Sequence, residues 1–129
     1  MESAPKEPPI TLVFHPIDRA DPPSTAFMDA ARAGLSASEG PLRLVGPYLG
    51  HAVLDALIRG RRFRLVTDLD ACFGVRADPA LVALLEANLS SVRDLDAVHA
   101  KVLLSDGAAL MGSANFTSPG FAGVTSSAA

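Results

Sequence analysis

Val98-His99-Ala100-Lys101-Val102-Leu103-Leu104-Ser105-Asp106-Gly107, continued by Ala108-Ala109-Leu110-Met111-Gly112-Ser113-Ala114-Asn115, places Asp-Gly between two apolar runs, the signature of a β-hairpin. Side chains alternate faces along a strand, so His99, Lys101 and Leu103 point one way while Val102 and Leu104 point the other. The length of the loop decides what the second arm brings to His99. A two-residue loop sets Ala114 opposite His99 and turns Ser113 and Asn115 away. A three-residue loop, Ser105 to Gly107 with Gly107 left-handed in a bulge, pairs His99 with Ser113 and brings Asn115 to the same face. Only the second register gathers the polar groups, and it is the expectation. Asp106 is then a turn residue and no partner of His99.

An imidazole, an ammonium, a hydroxyl and a carboxamide on one face suit a phosphate ester. Phosphodiester cleavage needs a nucleophile, an acid for the leaving oxygen, and cationic or hydrogen-bonding groups for the equatorial oxygens. His99 supplies one nucleophile and Lys101, Ser113 and Asn115 supply three stabilisers, without a second acid. A buried His and a snorkelling Lys on an ordinary strand would explain His99 and Lys101, but not Ser113 and Asn115 beside them.

The pattern His99-x-Lys101-x4-Asp106, with Gly112-Ser113-Ala114-Asn115-Phe116-Thr117 downstream, resembles the HKD motif of the phospholipase D superfamily. Gly46-Pro47-Tyr48 before a helix is also similar, and the resemblance spans roughly residues 42–121. It implies a phospholipase D-like α/β sandwich with a mixed β-sheet and flanking helices. It also implies His99, Lys101, Asn115 and Ser113 as catalytic residues, with Asp106, Gly107 and Gly112 as structural positions of the motif. Family enzymes use two motif copies, one His attacking to form a phosphohistidine and the other protonating the leaving group. This chain carries one copy, so the resemblance implies a homodimer about a two-fold axis through the site. It further implies hydrolysis without metal or cofactor, Lys101 and Asn115 taking the part of a cation.

Two departures accompany the resemblance. The segment between Asp106 and Gly112 is one residue shorter than in the commonest form of the motif, a change expected to be confined to the hairpin tip. The family's later Glu, which hydrogen-bonds the catalytic His, has no counterpart, since no carboxylate follows Asp106. The leading expectation is a metal-independent nuclease acting on DNA as a homodimer. The alternatives are a catalytically impaired binding module, accessory to a helicase, restriction or phage-defence system, and a phospholipid-processing enzyme. The motif itself does not separate DNA, RNA and lipid.

At 129 residues, 13.4 kDa and 49% hydrophobic content, the chain has the material for one cored domain. Its expected limits are 10–121, with flexible tails at 1–9 and 122–129, and the sequence leaves open whether the latter is a natural end or a truncation. Cys72 is the single cysteine, which excludes an internal disulfide, and the first ten residues lack an apolar signal region. A cytoplasmic, reducing setting is expected. No apolar run reaches membrane-spanning length.

The net charge of −3 is unevenly spread. Before Leu42, six acids stand against three bases; from Leu42 onward, eight stand against eight. Arg59, Arg61, Arg62 and Arg64 cluster around a turn and are candidate contacts to nucleic-acid phosphates. A solvated helix-to-strand connection explains them equally well.

Ile10-Thr11-Leu12-Val13-Phe14 predicts a first strand, and Ser24 can cap a helix striped by Phe27, Met28, Ala31 and Leu35. A strand from Leu42 to Tyr48 should lead to a helix carrying Val53, Leu54, Leu57 and Ile58, stopped by Gly60. A strand from Phe63 to Asp68 follows, forming a parallel pair with the helix as crossover. Asp78-Pro79 opens a helix through about residue 88, its Leu81, Val82, Leu84 and Leu85 facing the sheet. Ser91 to Leu95 is a short strand leading into the hairpin. His15, His51, Asp68 and Asp70 are weaker site candidates, and no metal site is expected.

Overall fold

The computed structural model of the protein describes residues 26–36, 40–74, 77–113, 115–117 and 121. The expected strand at 10–14 and both tails lie outside the described residues.

Each element follows its apolar spacing. Helix α1 (Ala26–Ser36) buries Ala31 and Leu35, four residues apart on one face, with Phe27 and Met28 packed beside them. Strand β1 (Leu42–Val45) buries Leu42 and Leu44 and exposes Arg43. Helix α2 (His51–Ile58) buries Val53, Leu54, Leu57 and Ile58, and the chain turns away through Gly60 at φ 72°. Strand β2 (Phe63–Thr67) buries Phe63, Leu65 and Thr67. Helix α4 (Pro79–Glu86) opens on Asp78, whose side chain accepts from the Ala80 N–H, with proline in the first turn as expected. Between β2 and α4 stands a one-turn helix, α3 (Leu69–Cys72), that spacing did not predict. Strands β3 (Val92–Asp94), β4 (Val102–Leu104) and β5 (Ala109–Met111) complete the described elements.

The five strands form one mixed sheet in the order β3-β2-β1-β4-β5. β1, β2 and β3 are parallel; β4 runs antiparallel to β1, and β5 to β4. Both parallel crossovers step the same way across the sheet, which carries α2 and α4 to the same side, where they pack together. A buried row, Val92, Leu65, Leu44 and Leu103, crosses four strands in register. Burying each such side chain is worth about 1.5–3 kcal/mol. The opposite parity is another surface: Arg43, Arg64, Arg93, Leu104 and Met111 are exposed, and Val45, Val66 and Val102 half-buried. Among the described residues, helices therefore cover one face of the sheet.

The hairpin differs from expectation in register. Leu104 pairs with Ala109, Leu103 with Leu110 and Val102 with Met111, and the Ser105 N–H donates to the Ala108 carbonyl at 2.9 Å. The loop is the two residues Asp106 and Gly107, not three. Positive φ among the described residues falls at Gly60 and Ala97, so the left-handed Gly107 bulge is corrected too. The reason is docking against α1: the Ser105 hydroxyl donates to the Gly34 carbonyl at 3.2 Å, and a side chain on Gly34 would begin only 3.2 Å from the Ala108 methyl. A one-residue slip would turn Leu110 off the helix-covered face and undo both contacts.

Candidate active site

Strands β1, β2 and β3 end together at Val45, Thr67 and Asp94, and β4, running the other way, starts beside Val45. Segment 95–101, which carries His99, therefore lies at the carboxyl edge of the parallel strands, where open α/β sheets hold ligands. It is irregular; β4 begins only at Val102, so His99 and Lys101 stand before the strand and not within it. Hydrogen bonds brace this segment. The Leu95 N–H donates to the Thr67 carbonyl at 2.9 Å, and the Ala97 N–H to Asp68 Oδ2 at 3.2 Å. Ala97 has φ 59°, a conformation costing about 1–3 kcal/mol for a residue with a side chain, so something must hold it there. Asp68 does so while its other oxygen caps α3 through the Ala71 N–H at 3.2 Å. Asp94 Oδ1 in turn accepts from the Leu69 N–H at 2.9 Å.

His99 is exposed and Lys101 half-buried, with Lys101 Nζ donating to the His99 carbonyl at 2.8 Å. The ladder to the second arm ends at Lys101, whose carbonyl accepts from the Gly112 N–H at 3.3 Å. His99 is thus not paired with Ser113 across the hairpin, contrary to expectation. Asn115 reaches this edge by another route. Phe116 forms a parallel bridge to Leu49 and accepts the Gly50 N–H at 2.7 Å, and a methyl group on Gly46 would come within 2.8 Å of the Phe116 ring. Gly46 is the residue after Val45, the partner of Val102, so the Gly46-Pro47-Tyr48 turn seats the segment of Asn115 and Phe116 at the carboxyl edge of β1. Asn115 is half-buried, and its Oδ1 is buried without a hydrogen-bond partner. Ser113 is exposed. The four polar residues share one edge, but no hydrogen bond among the described residues joins their side chains.

The other candidates are dispersed. Asp106 is exposed at the hairpin tip, its carboxylate against Gly40, with the whole of β4 between it and His99. Gly107 completes that turn, and Gly112 adjoins Lys101. Of the four arginines, Arg61, Arg62 and Arg64 line one cleft while Arg59 is ion-paired with Asp55; Arg61 also donates to the Leu35 carbonyl, and Arg62 and Arg64 are exposed. They lie near the amino ends of β1 and β2, across the sheet from His99. His51 is half-buried at the start of α2; His15 lies outside the described residues.

Carboxylate oxygens of Asp68, Asp70 and Asp96 lie within 4.8 Å of one another. Both oxygens of Asp68 are already engaged by backbone N–H groups, so bracing the loop accounts for its place in this group. Cys72 is buried with its Sγ 3.4 Å from Thr67 Oγ1. Burial pushes its thiol up; the Thr67 hydrogen bond opposes this, and Asp68 and Asp94 add to it, so Cys72 is no thiolate nucleophile. Sequence reasoning missed Asp68 as the residue that positions the His99 segment. The signal was an Asp three residues before Ala71 at a strand end, the spacing of a helix N-cap.

No protein-family model and no curated protein matches the chain. Among solved structures it is similar to the crystal structure of a phospholipase D family member, Nuc from Salmonella typhimurium. The TM-score is 0.57 at 20% identity, over 74% of this chain and 68% of that one. At this identity the likeness shows the fold: the expected phospholipase D-like mixed sheet with flanking helices is the one observed.

Proposed function

We propose that the protein is a phosphodiesterase of the phospholipase D superfamily, acting on DNA without a metal as a homodimer. The observation that supports the reading is the position of His99 and Lys101, joined by a hydrogen bond at the carboxyl edge of a phospholipase D-like sheet, with the Asn115 segment bridged to Leu49 beyond the end of β1 at the same edge. In the reaction a His99 ring nitrogen attacks phosphorus and forms an N–P bond. The P–O bond to the leaving alcohol breaks, and that oxygen takes a proton from the imidazolium of a second copy's His99. Water then attacks the phosphohistidine, its proton returns to the second imidazole, and the N–P bond breaks. Lys101 and Asn115, with Ser113, face the phosphoryl oxygens and stabilise their charge. The bond from Lys101 Nζ to the His99 carbonyl ties stabiliser and nucleophile into one segment.

His99→Asn is expected to abolish DNA cleavage in EDTA. Lys101→Ala should lower kcat and raise KM, because an ammonium contacts the charged oxygens in ground and transition states alike. Cleavage by the His99→Asn protein, or a strict need for magnesium, would refute the route.

A second reading is a catalytically impaired module that binds DNA, accessory to a helicase, restriction or phage-defence assembly. It is favoured by one observation: among the described residues no carboxylate hydrogen-bonds the His99 ring. Loss of the orienting carboxylate costs about 10⁴ in rate in the serine-protease case. DNA bound by the parent protein in EDTA with no product after prolonged incubation would establish it.

A further inference from the structure

The face of the sheet that no helix covers among the described residues carries a row of arginines. Arg43 and Arg64 are direct partners across β1 and β2, and Arg93 on β3 partners Val66, two residues beyond Arg64. All three are exposed, and like charges set directly opposite on neighbouring strands, about 4.8 Å apart, are destabilising. Beside the row lies a cleft of about 720 Å³ lined by Arg61, Arg62, Arg64 and Arg93 with Asn88 and Ser91, and no acidic side chain lines it. Among the described residues none of Arg43, Arg62, Arg64 and Arg93 has a carboxylate partner, whereas Arg59 does. Arg61 Nη1 is buried without any hydrogen-bond partner, a state costing more for a charged group than for a neutral one. A chain of net charge −3 thus concentrates unpaired cations on one surface, an arrangement that folding alone does not favour.

We infer that this arginine row and the cleft beside it form a second contact surface for the phosphate backbone of duplex DNA, remote from His99. The identity of the anion rests on the phosphodiester reading above; the surface itself does not. Planar guanidinium groups match phosphate oxygens in bidentate fashion, and Arg is suited to that geometry where Lys offers a point charge. The exposed aromatic residues, Tyr48 and Phe73, belong to loops, not to this face, and Phe63 at the cleft is buried. Among the described residues the face therefore offers no platform for stacking unpaired bases, and it meets backbone without reading sequence. β2 spans about 16 Å between the cleft and the His99 edge, roughly five base pairs of duplex at 3.4 Å each. One duplex of modest length can touch both.

The test is fluorescence anisotropy with a 20-base-pair DNA duplex in EDTA, titrated at several salt concentrations. For Arg43→Ser/Arg64→Ser/Arg93→Ser, the dissociation constant is expected to rise at least tenfold at about 100 mM salt. The log–log salt slope should shrink by about 2–3, near one for each lost phosphate contact. The triple Lys variant should keep most of the slope, and unchanged circular dichroism of both variants shows that folding is intact. Unaltered affinity and slope in the Ser variant would overturn the inference. So would polyglutamate of matched charge binding the parent as tightly as DNA, since the surface would then suit an acidic protein. DNA left uncut by the parent, with binding still lost in the Ser variant, would sink the nuclease reading and leave this surface standing.

Discussion

Asp68 holds the candidate site from behind. Its two oxygens join the first turn of α3 to the Ala97 N–H, and Ala97 sits in a conformation that only an outside constraint maintains. Asp68→Ala should destabilise the protein by about 1–2 kcal/mol through the lost cap. It should also release the segment that carries His99: faster hydrogen exchange at the Ala97 amide and a narrower His99 imidazole resonance are expected. Wild-type exchange at Ala97 in the variant would show that the loop is held by other contacts. Cys72, one helical turn away, has no such role; its buried, neutral thiol fills space against Thr67.

At the scale of elements, the meeting of β1, β4 and the Phe116 segment sets where Asn115 lies. Gly46 makes that meeting fit, because the Phe116 ring crowds the space a side chain would need and Phe116 also packs against Phe121 in a tilted pair, their centroids 5.7 Å apart. Gly46→Ala should therefore cost about 1–3 kcal/mol by overpacking and shift Phe116 away from the Leu49 bridge. Urea denaturation reads the first effect and chemical shifts of Phe116 and Asn115 the second. A variant as stable as the parent, with those shifts unmoved, would mean that the ring accommodates a methyl without displacing the site. The hairpin shows the converse, an element placed by a neighbour: contacts to Gly34 chose its register, and the polar residues followed.

Among the described residues the sheet has one face covered by helices and one that is not, with large apolar side chains exposed at the edge that holds His99. Tyr48 is 54%, Leu95 53% and Met111 71% exposed, and all three lie at or beside the carboxyl end of the sheet. Such exposed apolar residues beside the candidate site are what the proposed pairing with a second copy through this edge would cover. Sedimentation equilibrium should show a concentration-dependent dimer that Met111→Glu/Leu95→Glu converts to monomer with loss of DNA cleavage in parallel. A parent that stays monomeric at all accessible concentrations would exclude the two-histidine mechanism.

Local physics made much of this legible from sequence alone. The alternation Leu42-Arg43-Leu44 and Phe63-Arg64-Leu65, the helical spacing of Val53, Leu54, Leu57 and Ile58, and the Asp78-Pro79 cap each encode an element through side chains a few residues apart, and each element was found where its pattern put it. His99, Lys101, Ser113 and Asn115 were legible as a set of residue types, but the register expected to gather them on one face was not the one the chain adopts. The polar pattern favoured the three-residue hairpin loop, and the chain adopts the two-residue one, in which Ser105 and Ala108 contact Gly34, some seventy residues away in sequence. The bracing by Asp68, the space at Gly46 and the alignment of Arg43, Arg64 and Arg93 likewise exist only once distant strands lie side by side. Tertiary structure decided these, because non-local packing and hydrogen bonding set them and no local periodicity encodes them.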